Sequence, residues 1–184
     1  MLDVGCGEGY AMQFFYEKGW VVCGLDFSDY GIKAHNPEME SFLIKGDLMK
    51  SISTMKDTFS FINMDNVLEH LPNPVDFLTV IKKVCGGETV ICMTVPNDFS
   101  ITQENAYDSG CIDGAFWVTK ETSEHFNYFT VESLSKFAEE NGFDVVWKSA
   151  DYPIDFNLFN YRTNYVRNKE VGHDGHIARL TIEN

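Results

Sequence analysis

The sequence predicts an α/β domain built on a mostly parallel, doubly wound sheet with helices on both faces. Three observations carry this. Short apolar runs of strand length alternate with helix-length segments, and glycine, proline or a capping residue marks most of the changes. One run, residues 20–25, is almost continuously apolar, the pattern of a strand covered on both faces.

The elements follow in order. Residues 2–4 read as a first strand ending at Gly5. Residues 10–18 read as a helix with Tyr10, Ala11, Phe14 and Phe15 on one face, stopped by Gly19. Residues 20–25 form the second strand, Ser28 caps a short helix through Ala34, and Pro37 ends that region. Residues 42–44 and 58–64 are the third and fourth strands, the latter holding Phe59, Phe61 and Ile62. Pro74 suits a first helical turn, and Val75, Leu78, Ile81 and Cys85 then recur at helical spacing until Gly86-Gly87. Residues 89–95 are a fifth strand, broken by Pro96-Asn97. Residues 98–124 lack a clean period, hold Gly110 and Gly114, and read as a long loop or a short helical insert. Thr130 caps a helix over 131–141 with Val131, Leu134, Phe137 and Ala138 on one face and Gly142 as its stop. Residues 143–148 read as a sixth strand and 177–182 as a terminal helix. Residues 1–150 are expected to form one domain, with 151–184 as a tail packed on it or extending it. Parallel strands linked by helices place their C-terminal ends along one edge, where ligands bind.

Composition narrows the function. The chain has 184 residues, 44% hydrophobic and 23% charged, which suits one globular domain. A net charge of −14 repels phosphate backbones and acidic lipid surfaces, so free nucleic acid is not an expected partner. No apolar run is long enough to span a bilayer, and no basic segment followed by an apolar stretch opens the chain. Cys6, Cys23, Cys85, Cys92 and Cys111 form no C-x-x-C pair and read as buried free thiols of a reducing compartment. The expected location is the cytoplasm, no metal is expected, and composition sets no oligomeric state.

The residues that bear chemistry cluster at the predicted strand ends. In Asp3-Val4-Gly5-Cys6-Gly7-Glu8-Gly9 a strand runs into a glycine turn that opens a helix. Glycines there permit positive φ and let a ligand approach the backbone. A nicotinamide site wants G-x-G-x-x-G; here the third glycine comes one residue early, and Glu8 repels a diphosphate. A cationic ligand fits this acidic loop better. Asp26, with Phe27 beside it, closes the second strand, where a carboxylate reaches a ribose diol; otherwise it is a solvated loop acid. Asp47, followed by Leu48, either accepts from an adenine amino group while Leu48 covers the ring, or caps a helix. Asn63 and Met64 end the fourth strand, and Asp65, Glu69 and His70 follow at the same edge. His70 is a candidate general base, or else it and Glu69 brace the next helix. His125 and Tyr128 stand where the long loop returns to the sheet edge, with His125 a candidate on the substrate side.

Taken together these segments resemble class I S-adenosylmethionine-dependent methyltransferases, whose fold is Rossmann-like. The resemblance covers roughly residues 1–150. It implies a cofactor site at Asp3, Gly5, Cys6, Gly7, Gly9, Asp26, Phe27, Asp47, Leu48, Asn63 and Met64, with S-adenosyl-L-methionine as the cofactor. Residues 67–71, 94–97 and 125–130, followed by Gly142-Phe143, resemble the small-molecule branch that includes quinone- and sugar-directed enzymes. Quinone-type relatives carry an E-x-x-E-H segment that can hold a divalent metal; Asn66 replaces the first acid here, which again predicts no metal. The family has an N-terminal helix before its first strand, whereas this sequence starts at the strand, so the expectation is a sheet without that helix. Residues 164–167 and 176–179 are similar to C-terminal parts of methyltransferases found with bacterial surface-polysaccharide enzymes. The implied reaction is methyl transfer to an oxygen or nitrogen of a small-molecule acceptor, with His70 or His125 as the catalytic base. A nicotinamide-dependent oxidoreductase and a non-catalytic binding module on the same fold are the competing readings.

Overall fold

The computed structural model describes residues 1–112, 125–151 and 154–172. They gather into two compact units, Met1–Pro96 with His125–Asn127, and Asn97–Glu124 with Tyr128–Asn184.

The first unit holds the sheet. Strands β1 (Leu2–Val4), β2 (Cys23–Asp26), β3 (Leu43–Lys45), β4 (Phe59–Asp65) and β5 (Cys85–Thr94) lie in the order β3-β2-β1-β4-β5. Every pairing is parallel. Helices α1 (Tyr10–Glu17), α2 (Tyr30–His35), α3 (Leu48–Thr54) and α4 (Pro74–Ile81) make the four crossovers. The chain winds outward from β1 to β3, then returns to β4 and winds outward the other way. Right-handed crossovers therefore put α1 and α2 on one face and α3 and α4 on the other. Packing agrees: Met12 of α1 and Ile32 of α2 share a core cluster with Met1, Cys6, Val22 and Met39, while α3 touches α4. Leu2, Val4, Leu25, Ile62 and Met64 are fully buried in the sheet. The order reverses between β1 and β4, where Asp3 stands opposite Asn63. In such sheets this switch point is where ligands bind.

Several elements differ from expectation. The buried residue of α1 is Met12, whereas Tyr10 and Phe14 lie 59% and 57% exposed. The reason is across the interface: Met12 lies over Gly24, where an added Cβ would come within 2.7 Å of the Met12 methyl. Strand β2 starts only at Cys23, and Val21 is 89% exposed. Cys23 stands opposite Leu2, and its amide donates to the Met1 carbonyl at 3.0 Å. Helix α2 starts at Tyr30 after Asp29 rather than directly after Ser28, whose hydroxyl accepts from the Tyr30 amide at 3.1 Å. Helix α3, absent from the expected elements, is capped by Asp47. On α4, Val75 faces outward and Phe77, Leu78, Val80 and Ile81 are buried. That helix tightens into a 3-10 turn at Lys82–Val84, and Gly86 and Gly87 begin β5 instead of ending the helix. A register shift between Phe59 and Phe61 accommodates them, with the Thr89 hydroxyl donating to the Phe59 carbonyl at 2.6 Å and accepting from the Gly86 amide at 2.7 Å.

The second unit contains α5 (Ile101–Asp108), inside the region read as a loop or helical insert, and α6 (Val131–Glu140). A reciprocal cap fixes the start of α6: the Ser133 amide donates to the Thr130 hydroxyl at 3.1 Å and the Thr130 amide to the Ser133 hydroxyl at 2.8 Å. Gly142 ends it at a φ of +77°. Ala106, Ile112 and Leu158 form this unit's core, and buried Asn164 donates to the carbonyls of Cys111 and Leu158, both at 2.8 Å. Among the described residues, 143–148, expected as the sixth strand, join no strand of the sheet, and Val146 and Trp147 are 84% and 76% exposed. An apolar run becomes a strand only where a neighbour offers a hydrogen-bond ladder. Gly114 and the helix expected over 177–182 lie outside the described residues. Among the described residues no helix is long and apolar enough to cross a membrane. All five cysteines are free thiols.

Candidate active site

The glycine turn is held by the strand beside it. The amides of Gly5 and Cys6 both donate to the Leu25 carbonyl, at 2.7 and 3.1 Å, and the Gly9 amide donates to the Cys6 carbonyl at 2.7 Å. Gly5, Gly7 and Gly9 take φ values of +69°, +52° and +77°, a region that costs other residues about 1–2 kcal/mol each. The turn is also crowded from outside. An added Cβ on Gly5 would meet the Val67 side chain at 2.8 Å, and one on Gly31 of α2 would meet the Gly7 carbonyl at 3.1 Å. A Cβ on Gly7 would meet nothing within 4 Å. Open space thus lies directly over the middle of the turn.

Asp26 braces this turn. Its carboxylate accepts from the Gly7 amide at 2.9 Å through one oxygen and from the Ser28 amide at 2.9 Å through the other. A carboxylate has about four acceptor sites, so each oxygen keeps capacity for a further donor. Asp3 lies deeper, 3% exposed, and accepts from the Asn63 side-chain amide at 2.8 Å. Burial pushes its carboxyl up to about 6, helped by the charges of Asp65 and Asp26 and opposed by the Asn63 bond. Burial likewise raises the Cys6 thiol to about 12, which makes it an inert core group.

The other expected cofactor residues are placed as follows. Met64 is fully buried and Asn63 half-buried, while Phe27 is 80% exposed beside Asp26. Asp47 is exposed and accepts from the Lys50 amide at 2.8 Å, so it does act as a helix cap. Leu48 is half-buried at the first position of α3.

His70 and His125 come together. Their rings meet edge to face with centroids 4.7 Å apart. Beside them lies Glu69, 1% exposed, with no hydrogen-bond partner on either carboxylate oxygen among the described residues. Burial raises its carboxyl, against the pull of charge on the two imidazoles. The segment carrying His125 is pinned by its neighbours: the amides of Phe126 and Asn127 donate to the Glu69 backbone carbonyl at 2.7 and 3.1 Å. The Asn127 side chain donates to the carbonyls of Leu68 and Leu71 at 3.0 and 2.6 Å. Sequence reasoning missed Asn127, because its partners lie far away in the chain and no local pattern marks them. Tyr128 belongs to the second unit, where its ring packs near Phe99.

A switch-point glycine turn, an acid at the end of the next strand and an acid under the turn thus sit on a Rossmann-like parallel sheet. The family model described as "Methyltransferase domain" matches residues 1–148, and the chain belongs to that family. Solved structures similar to it include a SAM-dependent methyltransferase from Archaeoglobus fulgidus, with 21% identity and a TM-score of 0.59, covering 94% of this chain and 77% of that one. Magnesium protoporphyrin IX methyltransferase from Synechocystis PCC 6803 is 12% identical with a TM-score of 0.57, covering 80% of this chain and 65% of that one. A putative methyltransferase complexed with the Trm112 activator of Haloferax volcanii is 14% identical with a TM-score of 0.59, covering 82% and 64%. The chain thus spans under two thirds of the length of the latter two. No curated protein sequence matches it. Family membership sets aside the nicotinamide reading of the glycine turn.

Proposed function

We propose that this chain binds S-adenosyl-L-methionine at the glycine turn and transfers its methyl group to an oxygen or nitrogen of a small-molecule acceptor. A sugar of a surface-polysaccharide pathway is the acceptor class toward which the C-terminal residues point. The observation that carries the reading is the Asp26-braced turn, with open space over Gly7 and buried Asp3 below. The donor set fits the cofactor. Asp26 retains acceptor sites suited to a ribose diol, and the carboxylates of Asp3, Asp26 and Asp65 supply the negative potential that a cation needs. Asp47 with Leu48 is proposed on the adenine side, and Phe27, Asn63 and Met64 around the same strand ends.

When bound, the cofactor supplies a methyl carried on a sulfonium. The chain's own part is to hold the two reactants in line, which can contribute up to about 7–11 kcal/mol. Positive charge disappears as the methyl leaves, so a site that is acidic without being ion-paired to sulfur suits the reaction. His70 or His125 would take the acceptor's proton, worth about 10²–10⁴-fold, and buried Glu69 would offset the charge that forms on the imidazole.

Titration calorimetry with S-adenosylhomocysteine tests the assignment. Asp26→Ala should weaken binding much more than His70→Ala does. Equal and small effects would refute the cofactor placement. Mass spectrometry of the purified chain should find retained S-adenosylmethionine or its demethylated product. Binding without turnover across a panel of sugar and phenolic acceptors would leave a non-catalytic binding module.

A further inference from the structure

The three groups His70, His125 and Glu69 carry more than a proton-transfer role. Asp3 and Asp26 are buried carboxylates whose oxygens accept hydrogen bonds. Glu69 is just as buried and, among the described residues, accepts none on either oxygen. Leaving an ionised carboxylate in that state costs several kcal/mol, roughly, unless a counter-charge is supplied. The nearest nitrogen of His70, Nε2, is 3.9 Å from Glu69 Oε1, too far for a hydrogen bond. One ligand atom from each of Glu69, His70 and His125 lies within 4.8 Å of the others. Two ligands on one tetrahedral ion with bonds of about 2.0–2.1 Å stand about 3.3 Å apart. The three groups therefore surround a space slightly wider than one ion, and small rotations of the two partly exposed imidazoles would close it. The backbone already holds the arrangement, through the Phe126 and Asn127 amides on the Glu69 carbonyl and the Asn127 side chain on Leu68 and Leu71.

We propose that Glu69, His70 and His125 form a binding site for one divalent transition-metal ion of the Zn²⁺ kind, with at least one coordination position left open. The donor set decides the class. Two imidazoles and one carboxylate favour Zn²⁺, Co²⁺, Ni²⁺ or Fe²⁺, whereas Mg²⁺ and Ca²⁺ prefer oxygen donors throughout. Asn66 takes no part: its side-chain amide donates to Asp65 at 3.2 Å. The third ligand comes instead from a segment distant in sequence, which is why spacing within residues 66–70 does not reveal the site. An open position in such a site binds and polarises an oxygen ligand. Ligation occupies the imidazole lone pairs, so a bound ion and a histidine base are alternatives at these two residues. The site stands independently of methyl transfer.

The test uses the full chain, stripped with chelator and desalted. Co²⁺ should bind with one equivalent per chain and develop the strong visible bands of four- or five-coordination. Zn²⁺ should abolish those bands, and excess Mg²⁺ should not. Loss of an outer partner of a metal site already costs about 10–100-fold, so His125→Ala and Glu69→Gln should each weaken Zn²⁺ binding by more than about 100-fold. His35→Ala, on α2, should bind as the parent does. Should Glu69→Gln fail to fold, His70→Ala and His125→Ala, both at partly exposed positions, carry the test. Zn²⁺ binding that is unchanged in His70→Ala and His125→Ala, weak octahedral Co²⁺ bands only, or equal displacement by Mg²⁺ would overturn the proposal. The readout needs no cofactor, so a chain that binds Zn²⁺ but not S-adenosylhomocysteine would refute the methyl-transfer reading alone.

Discussion

Asp3→Asn should gain stability relative to the parent as pH rises toward neutrality. Asp3 is a carboxyl 3% exposed, beside Asn63 and facing the charges of Asp26 and Asp65. Its folded-state value stands at about 6, against 3.8 for the free side chain. At about 1.4 kcal/mol per pH unit, the gap is worth about 3 kcal/mol. The sign follows from which state holds the proton. The folded chain binds it more tightly, so the contribution of Asp3 is fully present below pH 3.8, falls as pH rises toward about 6, and is lost above that. Asparagine cannot ionise and has no such slope. The stability of the variant minus that of the parent should therefore grow by about 2.5 kcal/mol between pH 4 and pH 7.5. A constant offset of about 1–3 kcal/mol is also expected, because the new amide must find acceptors in a buried place. The offset moves the whole curve without changing its slope. Urea unfolding followed by tryptophan fluorescence at several pH values measures it, and the other carboxylates cancel between the two chains. A difference that stays flat, or shrinks as pH rises, would refute the reasoning. The same variant should lose cofactor affinity, trading function for stability.

Gly7→Ala should cost only about 1–2 kcal/mol, the strain of a positive φ, since its Cβ would meet no protein atom. It should still weaken S-adenosylhomocysteine binding at least tenfold in calorimetry, because the methyl would project where the ligand lies. Asn127→Ala removes both side-chain bonds to Leu68 and Leu71 and should cost about 1–3 kcal/mol. Hydrogen exchange should speed up over residues 68–71 while β1 and β2 stay protected; uniform acceleration across the sheet would argue against a local clamp.

The order of the five strands in residues 1–96, with helices α1, α2 and α4 between them, could be read from the chain because each strand is a short apolar run; α3 was not read, since no apolar period marks residues 48–54. The glycine turn was legible for the same local reason: three alternating glycines straight after a strand need positive φ, and their neighbours in sequence are their neighbours in space. Of the two readings of Asp47, the structure shows the cap. What local pattern does not encode is which groups meet across the fold. Met12, rather than the aromatic residues of its helix, is buried because Gly24 on another strand leaves room for it. Residues 143–148 look like a strand but join no strand among the described residues.

The same division runs through the glycine turn. By itself the sequence determined that residues 5–9 form a ligand-sized turn with an acid at the next strand end. Only the tertiary structure decided that Asp26 grips the turn through the Gly7 amide, that Asp3 is buried against Asn63, and that His125 comes to lie over Glu69 and His70. Backbone conformation is set by a few adjacent residues. Burial and side-chain proximity are set by the whole packed chain.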